Sequence, residues 1–294
     1  MATVSCGTTS ERFEFIQRYR KIGVTSLCHW LGVSRSGFYD WEKREASSRY
    51  DDAQELLTHI TKIYWQSEGR YGSPRVFKAL KSQGICVSRK RVERLMKEAG
   101  LKGRVTLVTR RQPGLKRFKS KGENLLLDRA GPTAINQVWV GDVTYLKVNG
   151  KWQYLATVMD QYSRRILGWS LSVTRSTELT RDALTYALKK RNYPTNVIFH
   201  TDRGIEYTGF EFQKLLNKWD FKHSVNRPGH CTDNAFMESF FHSLKGELIR
   251  GTVYKSVKIL RQALSKYINK FYNAARLHSS LGYMSPIQYE QNTV

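Results

Sequence analysis

Three acidic residues have unusual surroundings for a strongly basic chain. Asp142 lies in the apolar segment VGDVTY, Asp202 directly follows NVIFHT, and Glu238 lies in DNAFMESFF, with 35 residues between Asp202 and Glu238. Carboxylates are the oxygen ligands that Mg²⁺ prefers. Two such ions, about 3.5–4 Å apart, stabilise the attacking and leaving oxygens of a displacement at phosphorus. Any one of these acids alone is more often an ordinary side chain, but together they predict a two-metal phosphoryl-transfer site.

The elements around these acids predict a mixed sheet. Alternating apolar and polar residues predict a strand at 135–148, and Asn149-Gly150 is typical of a hairpin turn into a second strand. The remaining pattern predicts strands at 151–163, 164–173, 196–201 and 222–226, and helices at 177–191, 210–219, 234–249 and 259–272. This order is that of a ribonuclease-H-like core, a five-stranded mixed sheet with flanking helices.

That architecture would bring the three acids together. Strands one and four are neighbours in a ribonuclease-H-like sheet, so Asp142 and Asp202 would lie side by side. The long helix that carries Glu238 would pack beside them. Asn234, His242 and Lys245 share one face of this helix with Glu238, because they follow at spacings of three or four residues.

The segment before the sheet predicts two all-α helix-turn-helix units. In the first, Gly32 provides a tight turn and Ser34 caps a helix that presents Arg35, Ser36 and Tyr39. In the second, Ser88 caps a helix whose first turn holds three basic residues, Arg89, Lys90 and Arg91. Basic residues there oppose the helix dipole, which is better tolerated if a phosphate binds. Both units are therefore predicted to bind DNA.

The charge of the chain points to a polyanionic partner. The 294 residues include 49 Lys and Arg against 25 Asp and Glu, a net charge of +24. With 40% hydrophobic and 12% aromatic residues, the chain is not a disordered basic tail. The densest positive charge falls on a predicted linker at 105–130, which is either a solvated hinge or a segment that follows phosphates. Its predicted DNA-binding residues are Arg110, Arg111, Lys116, Arg117 and Lys119.

Cysteine spacing and hydropathy limit the cellular compartments in which the protein is expected. Cys6, Cys28, Cys86 and Cys231 form no C-x-x-C pair, so neither a disulfide framework nor a zinc site is predicted. The N-terminus lacks the features of a signal peptide. No apolar run approaches the ~18 residues of a membrane span. We therefore expect a cytoplasmic, nucleoid-associated protein without a membrane partner.

At these residues the chain resembles a known family. Asp142, Asp202 and Glu238 match the DDE recombinases, which include retroviral integrases. The words GDVTYL, HTDRGIEY, NRPGHCTDNAFMESFFHSLKGE and FYNAARLHSSLGYMSPIQYE are similar to the second-frame product of the insertion-sequence-three family of bacterial transposases, as are WLGVSRSGFYDW and GRYGSPRVFKAL. The chain departs from this family at Ile205-Glu206-Tyr207, where Ser-Gln-Tyr is usual.

The resemblance implies a metal-dependent DNA transposase. It would bind the terminal inverted repeats of an element, hydrolyse one strand to free a 3′-OH, and join that end to target DNA. The implied cofactor is Mg²⁺, two ions per site held by Asp142, Asp202 and Glu238, with Mn²⁺ as a substitute. The implied partners are double-stranded DNA, a homodimer or larger assembly, and an upstream-frame helix-turn-helix product, separate or fused.

Several residues keep two interpretations at this point. Lys245 matches a family position that contacts DNA near the reactive phosphate, but it could be a solvated lysine. His242 could contact DNA or only cap the site. Asp233 is expected to cap a helix, and the C-terminal Asn273, Arg276 and His278 could serve packing or DNA binding. Large aromatic residues usually fill cores, so we expect this of Trp139, Trp152 and Trp169.

The predicted division of the chain has five parts. These are helix-turn-helix units at 1–50 and 51–104, the basic linker at 105–130, the catalytic core at 131–250 and a helical tail at 251–294. Two other functions compete with transposition. A regulator that binds ends without cutting would not need three mutually repelling acids, and a stand-alone nuclease would not need two DNA-binding units.

Overall fold

The N-terminal part is a small helical cluster. The structure is a computed structural model that describes residues 8–43, 48–104, 122–127, 129–228 and 231–293. Helices α1 (Thr9–Arg18), α2 (Val24–Leu31) and α3 (Arg35–Glu42) enclose their own apolar core. Gly32 ends α2 with a φ of +64°, and the Ser34 hydroxyl accepts a hydrogen bond from the Gly37 N–H at 3.0 Å. The predicted turn and cap are thus confirmed.

The second helical unit has the predicted pair of helices behind a longer one. Its helices are α4 (Ser48–Gln66), α5 (Ser73–Ser82) and α6 (Arg89–Glu98). Ile60, Val76, Leu80 and Val92 are fully buried between them. The Ser88 hydroxyl accepts a hydrogen bond from the Arg91 N–H at 3.2 Å, which caps α6 as the sequence predicts.

A five-stranded sheet follows, in the strand order β3-β2-β1-β4-β5. The first three strands are antiparallel, and β4 and β5 run parallel to β1. The predicted ribonuclease-H-like architecture is confirmed. The elements in chain order are β1 (Val138–Val148), β2 (Lys151–Asp160), β3 (Ile166–Ser172), α7 (Thr177–Lys190), β4 (Ile198–Thr201), α8 (Phe210–Lys218), β5 (Lys222–Val225), α9 (Ala235–Leu244), α10 (Val257–Ser265) and α11 (Pro286–Asn292).

The two faces of the sheet are covered by different helices. Alternate residues of β1, such as Val138 and Val140, pack with the buried side chains of α9 and α10. Trp139, which points to the opposite face, packs with the apolar residues of α7 and α8. Because side chains alternate along a strand, β1 contributes to both cores and is the central strand of the molecule.

Two predicted long helices change their pitch before they end. After α9 the chain continues as a π-helix over Lys245–Ile249, and after α10 as another over Lys266–Tyr272. Half of the residues in these wider turns are buried, and Leu248, Tyr267 and Ile268 among them belong to the core on one face of the sheet. The short helix α11 was not expected from the sequence.

One of the three tryptophans predicted to lie in the core is instead exposed. Trp139 is fully buried and Trp169 is half-buried against the core, but Trp152 keeps 50% of its surface accessible. It lies at the start of β2, in the hairpin end of the sheet, where the flanking residues Asn149, Gly150 and Lys151 are exposed too. The prediction for Trp152 was therefore wrong.

The second helical unit docks onto the C-terminal segment. The Tyr71 hydroxyl donates a hydrogen bond to the Ala275 carbonyl and accepts one from the Leu277 N–H, both at 3.0 Å. Arg75 Nε donates to the Leu277 carbonyl, also at 3.0 Å.

In the described ranges, no helix is long and apolar enough to cross a membrane.

Candidate active site

Two of the three predicted acids are brought together by adjacent parallel strands. Val140 of β1 lies opposite His200 of β4, so Asp142 and Asp202 each follow two residues further along the same edge. Asp142 Oδ1 accepts a hydrogen bond from the Val143 N–H at 2.7 Å, and Asp202 Oδ1 accepts one from the Gly204 N–H at 3.0 Å. Burial, together with the charge of Asp202, holds the pKa of Asp142 well above its usual range.

Asp142 and Asp202 together form what we call the acidic edge of the sheet. An arginine from the loop between β3 and α7 lies beside it. Arg175 Nη2 is 2.5 Å from Glu206 Oε1 and 3.8 Å from Asp202 Oδ2. Glu206 is almost fully buried. Burial first, and the charge of Glu206 second, raise the pKa of Asp202. The extra acid at the family departure is thus paired to a cation beside the predicted site.

Helix α9 is attached to β1 next to Asp142. Asn234, which directly precedes α9, donates a hydrogen bond from Nδ2 to the Gly141 carbonyl at 3.0 Å. Glu238 lies one turn further along the helix and is half-buried. At the other end of α9, burial lowers the pKa of Lys245, while the negative charge of Asp142 opposes that effect. Glu238 therefore lies between two residues that both approach β1 at Gly141 and Asp142.

The donors present suit a divalent cation, although no complete ligand set is assembled. Over the described ranges, no three His, Cys, Asp or Glu side chains are grouped so that they could hold a metal ion. Burial nevertheless raises the pKa of both Asp142 and Asp202, and the charge of Asp202 raises the pKa of Asp142 further, which indicates repulsion between the two carboxylates in a partly dehydrated site. A cation bound to carboxylate oxygens would relieve that repulsion, so the residues fit a hard divalent ion.

The predicted DNA-binding residues of the helical units lie at the starts of α3 and α6. Arg35 and Ser36 are exposed, whereas Tyr39 is half-buried and its ring lies 5.4 Å from that of Phe38. In the second unit, Arg89 and Lys90 are exposed and Arg91 is half-buried. The linker residues Arg110, Arg111, Lys116, Arg117 and Lys119 lie outside the described residues.

His242, on α9, is half-buried.

The C-terminal residues Asn273, Arg276 and His278, for which the sequence left packing or DNA binding open, make contacts inside the protein. Asn273 donates a hydrogen bond to the Ile166 carbonyl and accepts one from the Ile166 N–H, both at 2.9 Å. Arg276 is buried and pairs with Glu247 at 2.7 Å. Burial lowers the pKa of His278 to about 3, so this imidazole is neutral at physiological pH.

Asp233 does not cap α9. Its carboxylate accepts hydrogen bonds from the backbone and side chain of Arg227 and from Asn124 Nδ2. These bonds, the Arg227 side chain above all, hold its pKa at about 2. The residue therefore secures the chain before the helix rather than the first turn of the helix.

Two features of the site were not predicted from the sequence. The pairing of Arg175 with Glu206 joins residues 31 positions apart, on separate loops. The bond from Asn234 to a main-chain carbonyl depends on how α9 meets β1. A helical spacing had placed Asn234 on the Glu238 face, but no local pattern identifies its acceptor.

The fold and the acidic edge define a class, the integrase-core polynucleotidyl transferases. Residues 132–231 match the family described as Integrase core domain, and residues 238–294 match a second family of the same description. Residues 51–109 match the family described as HTH-like domain. Together these matches cover most of the chain from residue 51 onward.

The individual relatives name a narrower family. The chain is 37% identical over 290 residues to transposase InsF of insertion sequence IS3A from Escherichia coli K12, covering 96% of this chain and 99% of the relative. It is 34% identical over 265 residues to a 31 kDa protein of insertion element IS600 from Shigella sonnei, covering 90% and 97%. The chain belongs to the IS3 family of transposases, enzymes that act on DNA.

Solved structures with a similar fold come from viral proteins. One is a simian T-cell lymphotropic virus intasome in complex with a PP2A regulatory subunit (TM-score 0.47, 16% identity, 79% of this chain and 74% of that one). Another is the HTLV-2 integrase catalytic core in complex with magnesium (TM-score 0.39, 20% identity, 54% and 98%).

Proposed function

We propose that this transposase cleaves one strand at each end of its element and joins the freed 3′-OH to target DNA at a single acidic site. The observation that carries the proposal is that Asp142, inside β1, and Asp202, directly after the parallel neighbour β4, lie together beside the helix that bears Glu238. Water and a 3′-OH are interchangeable nucleophiles at such a site, so the same residues serve both steps.

Each side chain has a defined task in this proposal. Asp142, Asp202 and Glu238 would hold two Mg²⁺ ions, or Mn²⁺ in their place. When bound, the ions would supply charge stabilisation to the attacking and leaving oxygens. Lys245, close to Asp142, would contact the phosphate next to the reacting one.

The helical units would position the element ends. Arg35, Ser36 and Tyr39 in the first unit, and Arg89, Lys90 and Arg91 in the second, would contact the terminal inverted repeats, and the basic linker would follow the phosphates towards the core. Two ends have to be held together for joining, so we expect a dimer or larger assembly on DNA. The division of the chain into five parts is proposed on the same basis.

The proposal is tested with labelled element ends incubated with protein and Mg²⁺. We expect wild type to nick and join these ends. Asp142→Asn and Asp202→Asn should lose at least about a hundredfold in rate while still binding DNA, because several kcal/mol of charge stabilisation disappear. Binding is followed in parallel by gel retardation.

The matched control is Asp182→Asn, which removes an exposed carboxylate of α7 whose side chain pairs with Arg181. Its rate should stay near wild type. Nicking or joining that persists in both site variants would exclude the acidic edge as the catalytic centre.

A further inference from the structure

An exposed pair of aromatic rings lies at the hairpin end of the sheet. Tyr145 and Trp152 keep 57% and 50% of their surfaces accessible. Their ring centroids are 5.2 Å apart and their planes are nearly perpendicular. Single exposed aromatics are common on protein surfaces, but each ring here also carries a lysine.

The two lysines give this pair a positive charge. Lys245 Nζ lies 4.6 Å from the centre of the Tyr145 ring, and Lys147 Nζ lies 5.5 Å from that of Trp152. Aromatic faces next to cations form the surface on which proteins stack single nucleic-acid bases, because every base has a π-face and a neighbouring phosphate. A protein partner docked on this pair would instead have to bury the charges of both lysines.

This pair lies next to the acidic edge. Lys245 connects the two places, because its charge also interacts with Asp142. In the described sheet, β4 pairs with β1 only from Val138 to Val140, so the edge of β1 beyond Gly141 is left open by β4. Tyr145 follows Asp142 by three residues on this open stretch of β1 and points to the opposite face, so DNA that crosses the edge at Asp142 would meet Tyr145 on its other side.

We propose that Tyr145 and Trp152 stack an unpaired base of the substrate DNA next to the reacting phosphate, with Lys147 and Lys245 on the flanking phosphates. The inference rests on the proposed function, since it takes the acidic edge as the place of reaction. It adds a binding site for a single-stranded nucleotide. Bases leave the helix most easily at nicked or frayed ends, so those ends would be favoured.

The test compares two fluorescein-labelled probes without divalent ions. One is a short blunt duplex, and the other is the same duplex ending in a run of unpaired thymidines. We expect wild type to prefer the frayed probe by about tenfold in Kd, as one stacked base contributes. Trp152→Leu and Tyr145→Leu should abolish this preference and leave blunt-duplex binding unchanged.

Tyr186→Leu is the matched control, because Tyr186 is a tyrosine of similar exposure, 61%, on helix α7. It should keep the full preference. Equal preference in wild type and in both variants of the pair would overturn the proposal, as would loss of self-association in Trp152→Leu with unaltered DNA binding.

A measurement on wild type alone removes any dependence on variant folding. 2-Aminopurine in the unpaired run should lose fluorescence on binding if it stacks on an aromatic ring, and unchanged fluorescence contradicts the proposal. Because no metal is present, these results do not depend on catalysis. Failure of the proposed function would show instead as undiminished joining by Asp202→Asn.

Discussion

Arg175 is the cation that pairs with the carboxylates at the acidic edge. Its guanidinium is closer to Glu206, at 2.5 Å, than to Asp202, at 3.8 Å. Glu206 Oε1 accepts hydrogen bonds from both Nε and Nη2 of Arg175. Glu206 thus acts as a positioning residue that keeps the cation of Arg175 from a tighter pair with Asp202.

We expect Glu206→Gln to raise the Mg²⁺ concentration needed for half-maximal joining. Without its carboxylate partner, Arg175 would pair with Asp202 and compete with the metal for that carboxylate. The maximal rate at saturating Mg²⁺ should change less. Mn²⁺ binding to the DNA-free protein, followed by electron paramagnetic resonance, should weaken in parallel.

The double variant Glu206→Gln/Arg175→Gln serves as the control, and its Mn²⁺ affinity should return towards wild type. If Glu206→Gln binds Mn²⁺ as wild type does, Arg175 does not compete for Asp202.

The sequence predicted the acidic pair but not its cation. Asp142 and Asp202 were identified because each sits at a fixed point of a strand pattern, and strand order then determines their proximity. Arg175 has no such local pattern. Its contact with Glu206 arises where the loop before α7 meets the loop after β4, which depends on the packing of α7 against the sheet.

The wide turn after α9 joins this helix to two other parts of the chain. Glu247 in this turn accepts hydrogen bonds from Arg276 and from the Tyr267 hydroxyl, the latter at 2.8 Å. Its main-chain carbonyl accepts one from Arg104 Nη1, also at 2.8 Å. One residue thus connects the second helical unit, the C-terminal segment and α9.

Glu247→Ala should destabilise the protein by about 3–5 kcal/mol, because it leaves the Arg276 guanidinium buried without its carboxylate. Urea denaturation followed by tryptophan fluorescence measures this. Glu98→Ala is the comparison, since it removes an exposed pair with Arg94 and should cost at most about 0.5 kcal/mol. Equal stability of the two variants would contradict a structural role for the buried network.

Element patterns were predicted well where a strand or helix repeats regularly. The alternation of β1 and the Asn149-Gly150 turn predicted the hairpin, and the pattern at 177–191 predicted the helix observed as α7. The π-helical turns were not predicted, because the apolar spacing at 234–249 and 259–272 was interpreted as α-helical throughout. Trp152 was misplaced for a related reason, since the sequence does not state how far the helices cover the hairpin.

The positive charge of the molecule is distributed unevenly along the chain. The chain carries a net +24, and its densest positive segment precedes a core whose acids lie at one edge of the sheet. Phosphate binding by many lysines and arginines releases counterions, which makes affinity depend steeply on salt.

DNA affinity should therefore fall by at least about a hundredfold between roughly 50 and 200 mM salt. Replacing Arg110, Arg111, Lys116, Arg117 and Lys119 with Gln should reduce the slope of log K against log salt by roughly four. Lys258→Gln, at an exposed site on α10, is the single-charge control and should change the slope by about one at most. An unchanged slope in the linker variant would show that the linker does not contact phosphates and is a solvated hinge.

The most direct test of the proposed catalytic site concerns Glu238, because the described residues contain no preformed metal-binding group that would include its carboxylate. A precut element end with a free 3′-OH is supplied with plasmid and Mg²⁺, and joined product is counted. We expect Glu238→Gln to lower joining by at least about a hundredfold, while Asp182→Asn joins normally. Joining by Glu238→Gln at the wild-type rate would contradict it.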